Sequence, residues 1–164
     1  ICSTRLVTGH GVPTLESIMD CAKTGHSTKI IADGGIKTSG DIVKALAAGA
    51  DFVMIGSMLA GTKETPGNVF TSKEGKKYKI YRGMASSKAQ TDWRGASSTP
   101  EGVSTTVAFK GEVAPILDNI LGGIRSGFSY SGVRTLKDFQ IKARFIRQSP
   151  ASQIESSTHI MLKG

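Results

Sequence analysis

The sequence predicts an α/β fold built on a parallel sheet, and three observations predict it. An apolar run, a glycine turn and an amphipathic helix follow one another at residues 29–48, and the run-and-glycine-turn pattern recurs about two dozen residues later. A further helical stripe precedes the first run, at residues 14–24. The chain of 164 residues, 38% of them hydrophobic, is long enough to close a core. Successive βα units with right-handed crossovers lead to either a barrel or a doubly wound sheet.

Each element has its own warrant. In residues 14–24, Leu15, Ile18, Met19 and Ala22 recur at helical spacing, with Thr14 and Ser17 suited to the start. Cys21 falls in this helix and reads as a small buried side chain. Lys29-Ile30-Ile31-Ala32, closed by Asp33-Gly34-Gly35, reads as a buried parallel strand that ends in a loop. Thr38 or Ser39 caps the next helix, residues 40–48, whose Ile42, Val43, Leu46 and Ala47 share a face before Gly49 stops it. Phe52-Val53-Met54-Ile55 then runs into Gly56-Ser57 as a second strand.

From residue 62 to 110 the chain turns polar and glycine-rich. Asn68 to Thr71 and Lys77 to Tyr81 flank a glycine-containing turn and predict a hairpin. Residues 85–106 show no regular element, and a long irregular loop of this kind reads as a lid or binding flap. After Gly111 a stripe of Val113, Ile116, Leu117, Ile120, Leu121 and Ile124 predicts a helix to about Ser126. A short helix at residues 136–143, a strand at Arg144-Phe145-Ile146-Arg147 and a tail from 148 to 164 complete the reading. The organisation is thus 1–61 (cysteine loop and two βα units), 62–110 (hairpin and flap insertion), 111–147 (final helices and strand) and 148–164 (tail).

Composition narrows the function. No apolar stretch approaches the roughly 18 residues of a membrane span and the first residues lack a signal-peptide layout, so a soluble, cytoplasmic protein without membrane partners is expected. The excess of 21 Lys+Arg over 13 Asp+Glu gives a formal charge of +8. Its members, among them Lys73, Lys76, Lys77, Lys79 and Lys110, are scattered with few aromatics between them, which argues against a nucleic-acid partner and leaves small phosphorylated ligands. Two cysteines fit neither a metal spacing nor a disulfide framework.

The chemistry-bearing positions sit at strand ends and in the first loop. Gly34, Gly35, Gly56 and Ser57 close two neighbouring strands, where glycines let backbone N–H groups approach a phosphate; either pair alone is equally a plain turn. Asp33 is placed to accept hydrogen bonds from ligand hydroxyls or to cap its own turn. Cys2, in polar loop sequence, is a candidate thiolate nucleophile, although a lone cysteine is more often structural.

Several segments, taken together, resemble the IMP dehydrogenase/GMP reductase family. They are ICSTRLVTGHGVP at the start, IADGGIKTSGDIVKALAAGADFVMIGSMLAGTKETPG (31–67), YRGMAS (81–86), PEGV (100–103), FKG (109–111) and GGIRSGFSYSG (122–132). The resemblance implies the C-terminal part of a (β/α)₈ TIM barrel with a long flap and hairpin insertion. It also implies that Cys2 attacks C2 of a purine nucleotide, that Thr4 and Glu101 move protons, and that Asp33 binds ribose. Gly35, Gly56, Ser57 and Tyr81 would hold phosphate, and Gly83 and Met84 the base.

The family runs two reactions: GMP to IMP and ammonia with NADPH, or IMP to XMP with NAD. Family dehydrogenases carry an adjacent Arg-Tyr pair on the flap; here the flap has Asp92-Trp93-Arg94-Gly95. That favours GMP reductase, as does Ile120-Leu-Gly-Gly-Ile-Arg-Ser126. Pro-Glu-Gly around Glu101 and the tail from Glu155 to His159 point to a dehydrogenase, in which such a tail helps a neighbouring subunit hold potassium through Cys2, Glu155, Ser156 and Ser157. The resemblance further implies a homotetramer and the need for an N-terminal barrel half, without which the chain would be an inactive nucleotide-binding fragment.

Overall fold

The computed structural model describes residues 2–25 and 27–156. Its centre is a parallel pair, β1 (Ile31–Asp33) and β2 (Phe52–Met54), with Ile31 opposite Phe52 and Asp33 opposite Met54. Strand alternation decides what each face does. Ala32 and Val53 turn toward α2 (Thr14–Ala22) and α3 (Ser39–Ala47), which follow α1 (Thr4–Thr8) and flank β1 in sequence. Ile18, Ile42, Ala45, Ala48 and Ala50 close that core, and Ile120 joins it from α5 (Ala114–Tyr130).

The opposite face of the pair is open. Ile31, Phe52 and Met54 are each more than half exposed. The strands are therefore parallel as expected but buried on one face only, because no layer packs over the side chains of the other parity. Cys21 is likewise exposed, against its expected burial. The inward side of α2 is the Leu15–Ile18–Met19 stripe, and at 100° per residue Cys21 lies off it.

Local chemistry sets the helix ends. Thr38 accepts from the Asp41 N–H while Asp41 accepts from Thr38, a reciprocal capping box that starts α3. Thr135 caps α6 (Leu136–Lys142) in the same way through the Asp138 N–H. Phe139 of α6 packs on Phe128 of α5 with ring centroids 4.6 Å apart, forming a second small core with Ala47 and Val133.

The polar excursion forms an antiparallel sheet of β3 (Phe70–Thr71), β4 (Lys77–Arg82) and β5 (Ser104–Ala108), in that order. The hairpin was expected; β5 was not, and neither was α4 (Ser87–Arg94) inside the stretch read as irregular. Ser86 caps α4 and Gly95, at φ 75°, ends it. The segment was illegible because its apolar content is low and its capping hydroxyl is one of many serines. Arg144–Arg147, expected as a strand, has no regular structure, since no neighbour pairs with it among the described residues. The tail carries a short α7 (Pro150–Glu155). Among the described residues no helix is long and apolar enough to cross a membrane.

Ile42 is 1% exposed at the meeting of α3 with the sheet. Ile42→Ala should lower the unfolding free energy by about 2–5 kcal/mol in urea titration, whereas the same change at the exposed Ile146 should stay within about 0.5 kcal/mol.

Candidate active site

Three side chains distant in sequence form one chain of hydrogen bonds. Cys2 Sγ donates to Thr4 Oγ1 at 3.1 Å, and Thr4 Oγ1 donates to Glu101 Oε2 at 2.7 Å. Backbone pairing holds the ends in register: the Ser3 N–H donates to the Glu101 carbonyl at 2.7 Å, and Cys2 bridges to Gly102. The Glu101 N–H in turn donates to the Ala85 carbonyl at 3.1 Å, and Ser86 bridges to Gly102. A Cβ on Gly102 would stand 2.8 Å from the Ser86 nitrogen, so this close backbone approach requires glycine.

The Cys2 thiol is exposed and its pKa lies below the ordinary value. The hydrogen bond with the Thr4 side chain is the largest cause and one with the Thr4 backbone adds to it, while slight burial and the Glu101 charge act the other way. The two side-chain hydrogen bonds form a continuous series from the Cys2 sulfur through the Thr4 hydroxyl to the Glu101 carboxylate.

A second group gathers at the ends of β1 and β2. Parallel register sets Asp33 beside Met54, so Gly34-Gly35 and Gly56-Ser57 leave the sheet at the same edge. Gly34 and Gly35 both have positive φ, 97° and 76°, a conformation open to glycine. Tyr81, from β4, brings its hydroxyl against Gly56, where a Cβ would lie 2.7 Å from Tyr81 Oη. Among the described residues, the N–H groups of Gly35, Gly56 and Ser57 have no partner. Asp33 is exposed on the open face with Phe52 and Met54.

The remaining expected positions differ in how their polar groups are engaged. Gly83 donates to the Val103 carbonyl and accepts from Ser86, both at 3.0 Å, so its backbone is engaged within the protein. Met84, 78% exposed, keeps its backbone groups unpaired among the described residues. Glu155 ends α7 and Ser156 bonds locally, accepting from Gln148 and donating to the Ser152 carbonyl; Ser157 lies outside the described residues. Among the described residues no hydrogen bond or ion pair joins Glu155 or Ser156 to Cys2, and no group of three His, Cys, Asp or Glu gathers to hold a metal.

Sequence reasoning missed several supporting residues. Gln90 of α4 is buried, donates to the Ala85 carbonyl and accepts from the Ser98 N–H, tying together both ends of the segment that precedes Glu101. Lys79, read as part of the basic surface, is only 2% exposed. Its Nζ donates to the carbonyls of Thr62 and Thr65. The lone clue was parity: Lys79 and Tyr81 share one face of β4, so a buried Tyr81 would bring Lys79 with it.

Comparison with known proteins places this geometry. The model of the IMP dehydrogenase / GMP reductase domain matches residues 1–159. A GMP reductase of Leishmania major is 53% identical over 99% of this chain and 35% of its own length. An inosine-5'-monophosphate dehydrogenase of Nitrosopumilus maritimus is 48% identical over 99% of this chain and 37% of its own. The crystal structure of a GMP reductase variant from Trypanosoma brucei in complex with guanosine 5'-monophosphate superposes with a TM-score of 0.91 at 46% identity, covering 99% of this chain and 35% of that one. The chain spans about a third of the length of these relatives.

Thiol reactivity reports the hydrogen-bond chain directly. In a Cys21→Ser background, Thr4→Val should move the midpoint of the pH profile for iodoacetamide alkylation upward, toward the ordinary thiol value of about 8.5. Glu101→Gln removes a charge of the opposing sign of effect, so its midpoint should not rise.

Proposed function

The chain belongs to the IMP dehydrogenase/GMP reductase family, and from that premise we propose that it is the C-terminal part of a (β/α)₈-barrel purine-nucleotide oxidoreductase, specifically a GMP reductase using NADPH. The observation that carries this reading is the hydrogen-bonded series from Cys2 through Thr4 to Glu101. A nucleophile with a proton acceptor two bonds away suits a reaction that opens and closes a covalent bond to sulfur.

In the proposed reaction the Cys2 sulfur adds to C2 of GMP, forming a C–S bond as the π pair of the C2–N3 double bond moves onto N3. Glu101, protonated through Thr4 in that step, returns the proton to the amino group, which leaves as ammonia. A nicotinamide cofactor, when bound, supplies the hydride that takes the place of the amine at C2; no residue of this chain is assigned to hold it. The C–S bond then breaks, its electron pair returns to sulfur and IMP is released.

The remaining residues bind and orient. Gly34, Gly35, Gly56, Ser57 and Tyr81 receive the phosphate at the shared edge of β1 and β2, and Asp33 accepts from the ribose hydroxyls. Met84 presents free backbone groups to the base, while Gly83 shapes the turn that offers them. In this reading α4 and the residues after it are the flap, and the open face of Ile31, Phe52 and Met54 is the inner wall of the barrel. The complete protein would be a homotetramer.

The direction of the reaction rests on the flap. Where family dehydrogenases carry adjacent Arg and Tyr, α4 ends in Trp93 and Arg94, with the guanidinium 4.8 Å from the indole centroid. A paired arginine of this kind is not set to activate water. The opposite direction, oxidation of IMP to XMP with NAD, is favoured by Pro-Glu-Gly around Glu101 and by the tail sequence.

With this chain in a complete barrel, nicotinamide absorbance should fall with GMP plus NADPH and stay flat with IMP plus NAD; the reverse result would establish the dehydrogenase. Cys2→Ala should abolish turnover while GMP still binds. Glu101→Gln should slow turnover by about 10²–10⁴-fold with binding retained, the usual weight of general acid–base catalysis. Near-normal turnover by Cys2→Ala would overturn the mechanism.

A further inference from the structure

Two lysines of the antiparallel sheet spend their ammonium groups on backbone carbonyls of the turn that follows β2. Lys110 Nζ donates to the carbonyls of Ser57 and Met58, each at 3.0 Å. Lys79 Nζ, buried, donates to the carbonyls of Thr62, at 3.0 Å, and Thr65, with no carboxylate among its partners. Main-chain bonds dock the same segment onto the end of β5: the Lys110 N–H donates to Gly61 and the Lys63 N–H to Gly111, at 2.9 and 2.7 Å. Lysines so placed form no ion pair and lie outside the roles assigned above.

The planarity of the peptide bond shows what this arrangement does. All peptide bonds among the described residues are trans, so within each unit the N–H points opposite to the C=O. The carbonyl of Ser57 shares its unit with the N–H of Met58. Lys110, by holding that carbonyl, directs the Met58 N–H away from itself. The Gly56 carbonyl accepts from the N–H groups of Leu59 and Ala60, at 3.1 and 3.0 Å, which directs the Ser57 N–H outward in the same manner. Among the described residues, the N–H groups of Ser57 and Met58 have no acceptor. Ammonium, peptide unit and outward N–H thus stand in line, and in such a series each dipole polarises the next toward an anion.

We propose that Lys110 is a positioning residue for the nucleotide phosphate, acting through the Ser57–Met58 peptide, and that the Met58 N–H is a phosphate donor alongside Ser57. Lys79 fixes the far end of the same turn to β4, two residues from Tyr81, which meets Gly56. The inference rests on the phosphate site proposed above and adds how that site is held in shape.

Lys110 is exposed, so Lys110→Met can be tested without emptying a core position. In a complete barrel, GMP and guanosine are titrated calorimetrically into the wild type, Lys110→Met, Lys110→Arg and Lys63→Met. Lys63 is an exposed lysine of the same segment whose side chain pairs with Glu112, so it controls for loss of one positive charge. Lys110→Met should weaken GMP about tenfold, an effect the size of one charge-assisted hydrogen bond, while guanosine, which lacks the phosphate, changes less than about twofold. Lys110→Arg, able to donate to the same carbonyls, should recover most of the affinity, and Lys63→Met should match the wild type.

Unchanged GMP affinity in Lys110→Met, an equal loss for guanosine, or an equal loss in Lys63→Met would overturn the proposal. A wild type that binds neither GMP nor IMP would instead sink the purine-nucleotide reading. Inorganic phosphate alone then decides the brace: about tenfold weaker binding by Lys110→Met supports it, and equal binding refutes it.

Discussion

The parallel register of β1 and β2 is the constraint on which the site depends. Pairing Asp33 with Met54 brings two glycine-containing turns out of the sheet at one edge and leaves their N–H groups without strand partners. An antiparallel pair would have sent the turns to opposite ends. Two helices packed on one face keep the pair in register, with Ala32 and Ile42 buried between them. Three residues of the polar excursion arrive beside this edge: Tyr81 from β4, Lys79 two residues earlier and Lys110 just after β5.

The thiol and the turn after β2 are linked by that excursion. β4 delivers Tyr81 to Gly56 and runs on through Gly83 to Ala85, whose carbonyl accepts both the Glu101 N–H and the Gln90 side chain. β5 then returns from the neighbourhood of Glu101 to Lys110, which grips the turn after β2. One small sheet thus ties Glu101 at one end to the turn after β2 at the other. Its residues are mostly polar, so the rigidity comes from strand pairing and buried polar contacts more than from apolar packing.

How much of this was legible follows from the kind of signal each element leaves. α2, α3, α5 and both parallel strands announced themselves through apolar periodicity and glycine stops, because burial on one side writes a pattern into the sequence. The phosphate turns and Asp33 were readable as strand ends. Cys2, Thr4 and Glu101 were grouped by family resemblance; no local pattern connects positions so far apart. α4, β5, Gln90 and Lys79 were missed since their stability lies in side-chain amides, hydroxyls and carbonyls, whose partners only the tertiary structure specifies. The strand expected at 144–147 shows the converse, an apolar pair, Phe145 and Ile146, with no neighbour to pair with.

The hydrogen bond between Thr4 and Glu101 joins residues 97 positions apart. Closing a loop of that length costs about 4 kcal/mol in chain entropy by the (3/2)RT ln n rule, so this contact forms late, after the intervening sheet has paid part of the closure. Thr4, by contrast, neighbours Cys2 in any conformation of the chain. The Cys2–Thr4 contact is therefore local, while the contact with Glu101 depends on the intervening sheet. Assembly follows topology: Glu101 joins the Cys2–Thr4 pair only when the excursion has found its place.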